Sequence, residues 1–229
     1  MRSTPPSTPT TSAPRGSARL WLFGGTTIVA VALFALLFAL ISRSGATRAP
    51  AAAAVTFQAG TTLTHEPALP AFSLKDQNGQ LVTSAQLRGH VVAVTFLDAV
   101  CTQACPLTVT YLNQVAQELG PQQTAQVVWV AISVNPSNTP AQASAFLAKY
   151  HAAPTVRFLL GTQSQLQPLW SAFHQYVQLA NQPGQQDTVH TVNTFLVDAQ
   201  GREREVLDQS YDPHAFAGDI AHLLAANVR

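Results

Sequence analysis

The order of apolar patterns along the chain predicts an α/β fold, a sandwich with a mixed central sheet. Three observations predict it. Residues 90–97 (His-Val-Val-Ala-Val-Thr-Phe-Leu) and 126–134 are apolar runs of strand length, rich in β-branched residues, as strands buried on both faces are. Each run is followed by a segment whose apolar residues recur at helical spacing. Late in the chain, two short runs flank Asp198-Ala-Gln-Gly201 as a hairpin, and a final helical pattern follows. Strand–helix alternation closed by a hairpin and a helix gives parallel and antiparallel pairs in one sheet.

The first 68 residues stand apart by composition. Residues 1–19 are mostly Ser, Thr, Pro and Arg, which describes a disordered tail. Residues 20–41 carry no charge and are dominated by Val, Ala, Leu and Phe. That length matches the roughly 20 apolar residues needed to span a bilayer. It exceeds the apolar core of a cleaved signal peptide, about 7–15 residues. A single-pass transmembrane anchor is therefore expected, with a signal peptide as the alternative. No cysteine directly follows the segment, which excludes a lipid-modified cysteine as the anchor. Arg2, Arg15 and Arg19 precede it and Arg43 and Arg48 follow, a balance that places the N-terminus in the cytoplasm only by a small margin. Residues 42–68 read as a tether. Residues 69–229 are long enough for one domain with a full core.

All five arginines of the first fifty residues lie there without an acid. The rest of the chain is mildly acidic, so nucleic acid is not expected as a partner. Charged residues make up only 10% of the chain, which leaves Gln, Ser and Thr to supply the polar surface.

Within residues 69–229 the elements follow in order. Phe72-Ser-Leu and Gln80-Leu-Val-Thr flank Asp76-Gln-Asn-Gly79 as a hairpin with an Asn-Gly turn. Ser84–Leu87 is one helical turn before Gly89. The strand over 90–97 leads to a loop and then a helix, with Leu107, Tyr111, Leu112, Val115 and Leu119 as its buried stripe. A strand over 126–134 follows, then a helix capped by Thr139 with Pro140 at its first position and reaching Tyr150. Val156–Leu160 is a short strand ended by Gly161. Leu166, Leu169, Trp170, Phe173 and Val177 mark another helix. Thr191–Val197 and Glu203–Leu207 form the late hairpin, and the last helix starts near Pro213. That order is the one a thioredoxin-like fold shows.

The loop between the first long strand and its helix holds Cys101 and Cys105, the only two cysteines of the chain. Backbone N–H groups and the dipole at a helix N-terminus favour a thiolate, so depressed thiol pKa values are expected. Cysteines four apart lie on one face of a helical turn, where two sulfurs can hold one soft metal ion or close a disulfide. The dithiol motif of thioredoxin-like oxidoreductases has two intervening residues, whereas this one has three. A plain structural disulfide, or two small buried apolar residues, is the alternative.

Seven histidines are candidates for a further ligand. His65, His214 and His222 read as solvated surface, and His90 lies at the strand end remote from the cysteines. His151 follows a helix end, where a cation is mildly favourable. His174 reads as a packed helix residue beside Trp170 and Phe173. His190 differs, because it sits in a polar loop immediately before a strand and can reach a site at a neighbouring strand's end. The only methionine is Met1, so a soft-metal site here has no thioether to use.

These stretches resemble the Sco/SenC family. Phe96-Leu-Asp-Ala-Val-Cys-Thr-Gln-Ala-Cys-Pro106 is similar to its C-x-x-x-C-P signature. Ile132-Ser-Val-Asn-Pro-Ser-Asn-Thr-Pro140 is similar to its S-V-D-P-x-x-D-T-P segment. Phe158-Leu-Leu-Gly161 and His190-Thr-Val-Asn-Thr-Phe-Leu-Val-Asp-Ala-Gln-Gly201 resemble its short strand and its histidine-bearing segment. The resemblance covers roughly residues 69–225 and implies a membrane-anchored, thioredoxin-fold copper chaperone of cytochrome c oxidase assembly. It implies Cys101 and Cys105 as thiolate ligands and His190 as the imidazole ligand of copper, Cu(I) first and Cu(II) as a second state. It implies subunit II of the oxidase as partner, a cell-membrane location and a globular domain on the extracytoplasmic side. The chain departs from the family pattern in places. Thr102 follows the first cysteine where Pro is usual, Val189 precedes the histidine where Asp is frequent (Asp187 lies three residues before it), and Asn135 and Asn138 replace acids. These changes bear on partner recognition and on tuning around the site.

Two functions from different classes follow. One is a metal-transfer protein, which is not an enzyme. The other is an oxidoreductase of the extracytoplasmic space: a thiol–disulfide exchanger using a redox-active Cys101–Cys105 disulfide, or a peroxidase of peroxiredoxin type. Thr102 and Cys105 formally match the Thr-x-x-Cys spacing of such peroxidases.

Overall fold

The computed structural model describes residues 56–152, 156–179 and 188–227. The tail and the apolar segment 20–41 lie outside the described residues. Among the described residues, no helix is long and apolar enough to cross a membrane.

A six-stranded mixed sheet forms the centre. Its strands are β1 (Thr61–Thr62), β4 (Val91–Leu97), β5 (Val127–Ser133), β6 (Val156–Leu159), β9 (Thr194–Val197) and β10 (Glu203–Leu207), in the order β1-β10-β9-β4-β5-β6. Pairs β4–β5 and β5–β6 are parallel, and β9 runs antiparallel to both β4 and β10. The expected mixed α/β sandwich is what forms. All seven residues of β4 are buried because both faces are covered. Val91, Ala93 and Leu97 face one core with α2 (Ala104–Thr124), α3 (Pro140–Lys149) and α5 (Pro213–Asn227). Val92, Val94 and Phe96 face the other core. That core is closed by α1 (Ser84–Leu87), α4 (Gln163–Ala172) and the hairpin of β2 (Ser73–Lys75) and β3 (Leu81–Thr83).

Local chemistry sets the element ends. Thr83 and Thr139 each accept a hydrogen bond from the third helical N–H, while Gln86 and Gln142 cap back onto them. Gly79 adopts φ +76° and closes the β2–β3 turn through an N–H donated to the Asp76 carbonyl, 2.9 Å away. α2 kinks at Gly120 (φ 70°), just before Pro121.

Five expectations are corrected. Leu107 is 42% exposed, and the buried stripe of α2 is Cys105, Thr108, Val109, Leu112, Val115 and Leu119. The stripe follows the register set by Cys105, which packs inward. Val177 is not helical. α4 ends at Ala172, His174 turns to φ +51°, and Val177 enters β7 (Val177–Gln178). His174 is accordingly exposed past the helix end and is not packed within it. The strand expected from Thr191 begins at Thr194, because Val189–His190 forms a separate strand, β8, paired with β7. Described residues ahead of the boundary expected at residue 69 also take part in the fold. Phe57 is 4% exposed in the core and β1 pairs with β10, so this part of the expected tether is held by packing and by the sheet.

Candidate metal centre

One sheet edge gathers the site, and the topology explains why. β4 ends at Leu97 and the cysteine loop follows. Antiparallel pairing sets Thr194, the first residue of β9, opposite Thr95 near the end of β4. The segment just before β9, including His190, is therefore brought to the cysteine loop. Parallel pairing sets Ser133, the end of β5, beside Leu97, so the Asn135–Asn138 loop opens at the same edge. Loops at the carboxyl ends of parallel strands are the usual place for a site in such sheets.

Cys105 lies in the first turn of α2 and is fully buried, whereas Cys101 lies ahead of the helix and is half-buried. The expected one-face helical placement of the two is thus replaced by a different one. The Cys105 backbone N–H donates to Cys101 Sγ at 3.4 Å, so Cys101 serves the helix N-terminus as a sulfur acceptor. Both cysteines are free thiols. A hydrogen bond from the Cys105 side chain lowers the Cys101 pKa from 9.0 to about 5, with burial opposing and backbone N–H groups and His190 assisting. The same bond, joined by burial, pushes the Cys105 thiol up. The expectation of two acidic thiols therefore holds for Cys101 and fails for Cys105. One proton shared between two sulfurs settles on the more buried one.

His190 on β8 brings its Nε2 to 3.7 Å from Cys105 Sγ. Its Nδ1 lies 2.8 Å from the Thr191 carbonyl oxygen, which can only accept, so Nδ1 carries the hydrogen. In the neutral ring this leaves Nε2 with its lone pair toward the sulfurs, which is how a backbone carbonyl fixes the tautomer of a ligating histidine. Among the described residues, no three His, Cys, Asp or Glu donors are already gathered at metal-cage spacing. Cys105 is the shared neighbour, bonded to Cys101 on one side and facing His190 on the other. His65, His90, His151, His174 and His222 are exposed, and His214 pairs with Glu118 at 3.1 Å on the surface. Thr102 is exposed, and Arg157, Arg202 and Arg204 are engaged with Asp76, Asp198 and Glu66. Asp187 lies outside the described residues.

Asp98 was not among the sequence candidates, yet it supports the loop. It is fully buried, and its N–H donates to Cys105 Sγ at 3.4 Å. Its carbonyl accepts from the Cys101 N–H at 3.1 Å. Its carboxylate accepts from Asn138 Nδ2 at 2.8 Å, Asn135 Nδ2 at 3.1 Å and the Val100 N–H at 3.1 Å. The sequence held one signal for it, an acid directly after a strand whose only polar residue is Thr95.

Comparison with known proteins places this chain in a class, the SCO1/SenC proteins, whose family profile matches residues 60–225. The chain belongs to that family. It is 27% identical over 135 residues to the SCO2-like protein RP587 of Rickettsia prowazekii, a match covering 57% of this chain and 64% of that protein. The matched region thus spans a little under two thirds of that relative's length. Among solved structures, Bradyrhizobium japonicum ScoI with copper bound is 24% identical, with a TM-score of 0.62 over 69% of this chain and 99% of that one. BsSco, described as a member of the Sco family of cytochrome c oxidase assembly proteins with a disulfide switch, is 22% identical. Its TM-score is 0.61, over 72% of this chain and 96% of its own. These two likenesses establish the fold.

Proposed function

We propose that the protein is a copper carrier for cytochrome c oxidase assembly, held at the cell membrane by residues 20–41 with its folded unit on the extracytoplasmic side. The observation that carries the reading is the convergence of Cys105 Sγ on His190 Nε2 at 3.7 Å beside the Cys101 thiolate. Two sulfurs and one imidazole form a soft donor set suited to Cu(I), with no thioether on offer. Membership of the SCO1/SenC family, and a related fold solved with copper bound, support the same cargo.

The chain's own groups prepare the site. Cys101 presents a thiolate at neutral pH, because the Cys105 thiol donates to it and lowers its pKa to about 5. Cys105 holds the proton of the pair, so loading it with metal releases about one proton per copper at neutral pH. The Thr191 carbonyl accepts from His190 Nδ1 and so aims Nε2 at the sulfurs. Cys101, half-buried where Cys105 is fully buried, is the sulfur on which exchange with an acceptor's cysteine or histidine begins. The acceptor in this reading is the binuclear copper site of oxidase subunit II.

Dithiol chemistry is the second reading, favoured by the same depressed Cys101 pKa. The Cys101 thiolate attacks an acceptor disulfide and expels one thiolate. The Cys105 sulfur, on losing its proton, then attacks Cys101 Sγ and expels the other. A Cys101–Cys105 disulfide and two acceptor thiols result.

The test mixes the Cu(I)-loaded full-length chain with the metal-free, reduced copper domain of subunit II and follows copper in each protein. Transfer of copper to that domain supports the carrier. Retention of copper, together with reduction of the oxidised domain by the metal-free chain, replaces it with the thiol reading.

A further inference from the structure

We propose that Asp98 is the positioning residue of the two-cysteine loop and supplies a fixed negative charge beneath it, with Asn135 and Asn138 as its dedicated carboxamide partners. The inference rests on Cys101 and Cys105 being the working pair, and it does not require that their cargo be copper.

One residue locates both sulfurs. The Asp98 N–H meets Cys105 Sγ, its carbonyl holds the Cys101 N–H, and its carboxylate holds the Val100 N–H between them. Every partner found at the carboxylate oxygens is an N–H donor, the set an ionised carboxylate satisfies. The charge sits in a fully buried residue, with Asn138 itself 9% exposed. Among the described residues, no ion pair is made to it. Arg157, Arg202 and Arg204 lie at other carboxylates, Asp76, Asp198 and Glu66. The offset comes from the two amide dipoles.

The asparagines are themselves fixed so that their NH2 groups must point at Asp98. Asn138 Oδ1 accepts from the Ala99 N–H at 2.9 Å and from Ser133 Oγ at 3.0 Å, which leaves Nδ2 for Asp98. Asn135 Oδ1 accepts from the Ser137 N–H at 2.9 Å, with the same consequence for its Nδ2. An acid at either position would set two carboxylates against one another inside the fold. Asp98 together with two asparagines is therefore a matched set, with one acid at the strand end and none in the facing loop. A negative charge on the buried residue whose N–H meets Cys105 Sγ disfavours negative charge on the sulfurs, so it sets the balance between the reduced pair, which carries such charge, and the neutral disulfide.

The test is the equilibrium of the metal-free full-length chain with glutathione redox buffers at pH 7, read as the ratio of Cys101–Cys105 disulfide to dithiol. The variants are Asp98→Asn, Asn138→Asp, the exchange double variant Asp98→Asn/Asn138→Asp, and the milder Asn135→Ala. Melting temperature is followed alongside. Asp98→Asn is expected to move the equilibrium at least about threefold toward dithiol. Asn138→Asp, which adds a charge, and Asn135→Ala, which removes a compensating dipole, are expected to move it toward disulfide. The exchange variant restores one acid among two amides and is expected to return within about twofold of wild type. Should Asp98→Asn fail to fold, Asn135→Ala and the exchange variant decide. Folded variants with an unchanged equilibrium, or an exchange variant no nearer wild type than its parents, overturn the proposal. No copper enters the assay, so its failure is separable from failure of the carrier reading.

Discussion

Cys105 Sγ and His190 Nε2 stand 3.7 Å apart although 85 residues separate them in the chain. The antiparallel register of β4 and β9 makes the meeting possible, and the β7–β8 pair, with Val177 opposite His190, holds the imidazole in place. The site is therefore a product of sheet topology, and the predictions below test its parts and the scaffold that carries them.

The thiol pair has a polarity that labelling can read. With its pKa lowered to about 5 by the Cys105 hydrogen bond, Cys101 is a thiolate throughout the neutral range, and its reactivity falls only as pH drops through about 5. Iodoacetamide labelling of the reduced chain at pH 7, mapped by mass spectrometry, is expected to modify Cys101 well before Cys105. In Cys105→Ala the donor is lost, and the labelling midpoint of Cys101 should rise by a unit or more. Equal labelling of both cysteines at pH 7 would remove the polarity from the account.

The N-terminal segment is fastened by buried acids, and this makes stability depend on pH. Asp219 accepts from the N–H groups of Gln58 and Ala59, and Glu205 accepts from Gly60. Burial, then the nearby Asp219 charge, raises the Glu205 pKa from 4.5 to about 8. The folded state therefore binds a proton that the unfolded state has released. The stability this brings is fully present below about pH 4.5 and is lost as pH rises through about 8. Glu205→Gln imitates the protonated acid and should remove this slope. Denaturant unfolding at pH 5 and pH 8.5 is expected to find the variant near wild type at the lower pH. At the higher pH it should be more stable by on the order of 1–3 kcal/mol. A difference that does not change with pH refutes the assignment.

The register of α2 separates two leucines five positions apart. Leu112 is 3% exposed and Leu107 is 42% exposed. Leu112→Ala is expected to cost about 2–5 kcal/mol of unfolding free energy. Leu107→Ala should stay within about 0.5 kcal/mol, as surface changes do. Equal losses in chemical denaturation would mean the helix is rotated from the register described.

Much of this fold was legible in the sequence because local chemistry dictates it. The β-branched runs became β4 and β5, and Thr139 with Pro140 opened α3. What the sequence hid depends on partners distant along the chain. Val177 continues the apolar spacing of α4, yet a left-handed His174 ends the pattern and gives the residue to β7. Leu107 fits a helical stripe one position away from the register that Cys105 imposes. Asp98 drew no role from the sequence, and Asn135 and Asn138 looked only like departures from a family pattern. Their hydrogen bonds to Asp98 span 37 and 40 residues, a distance over which no local signal acts. Phe57 and β1 sat within a stretch read as tether, because two threonines and one phenylalanine give no strand signal without β10 beside them.

The central claim is that His190 completes a three-donor site with Cys101 and Cys105. Cu(I) affinity of the reduced full-length chain, measured by competition with a chromogenic chelator, tests it most directly. Wild type should bind one equivalent, and His190→Ala and Cys105→Ala should each bind at least about tenfold more weakly with their melting temperatures retained. A His190→Ala variant that holds Cu(I) as tightly as wild type, or a wild type that holds none, would contradict the claim.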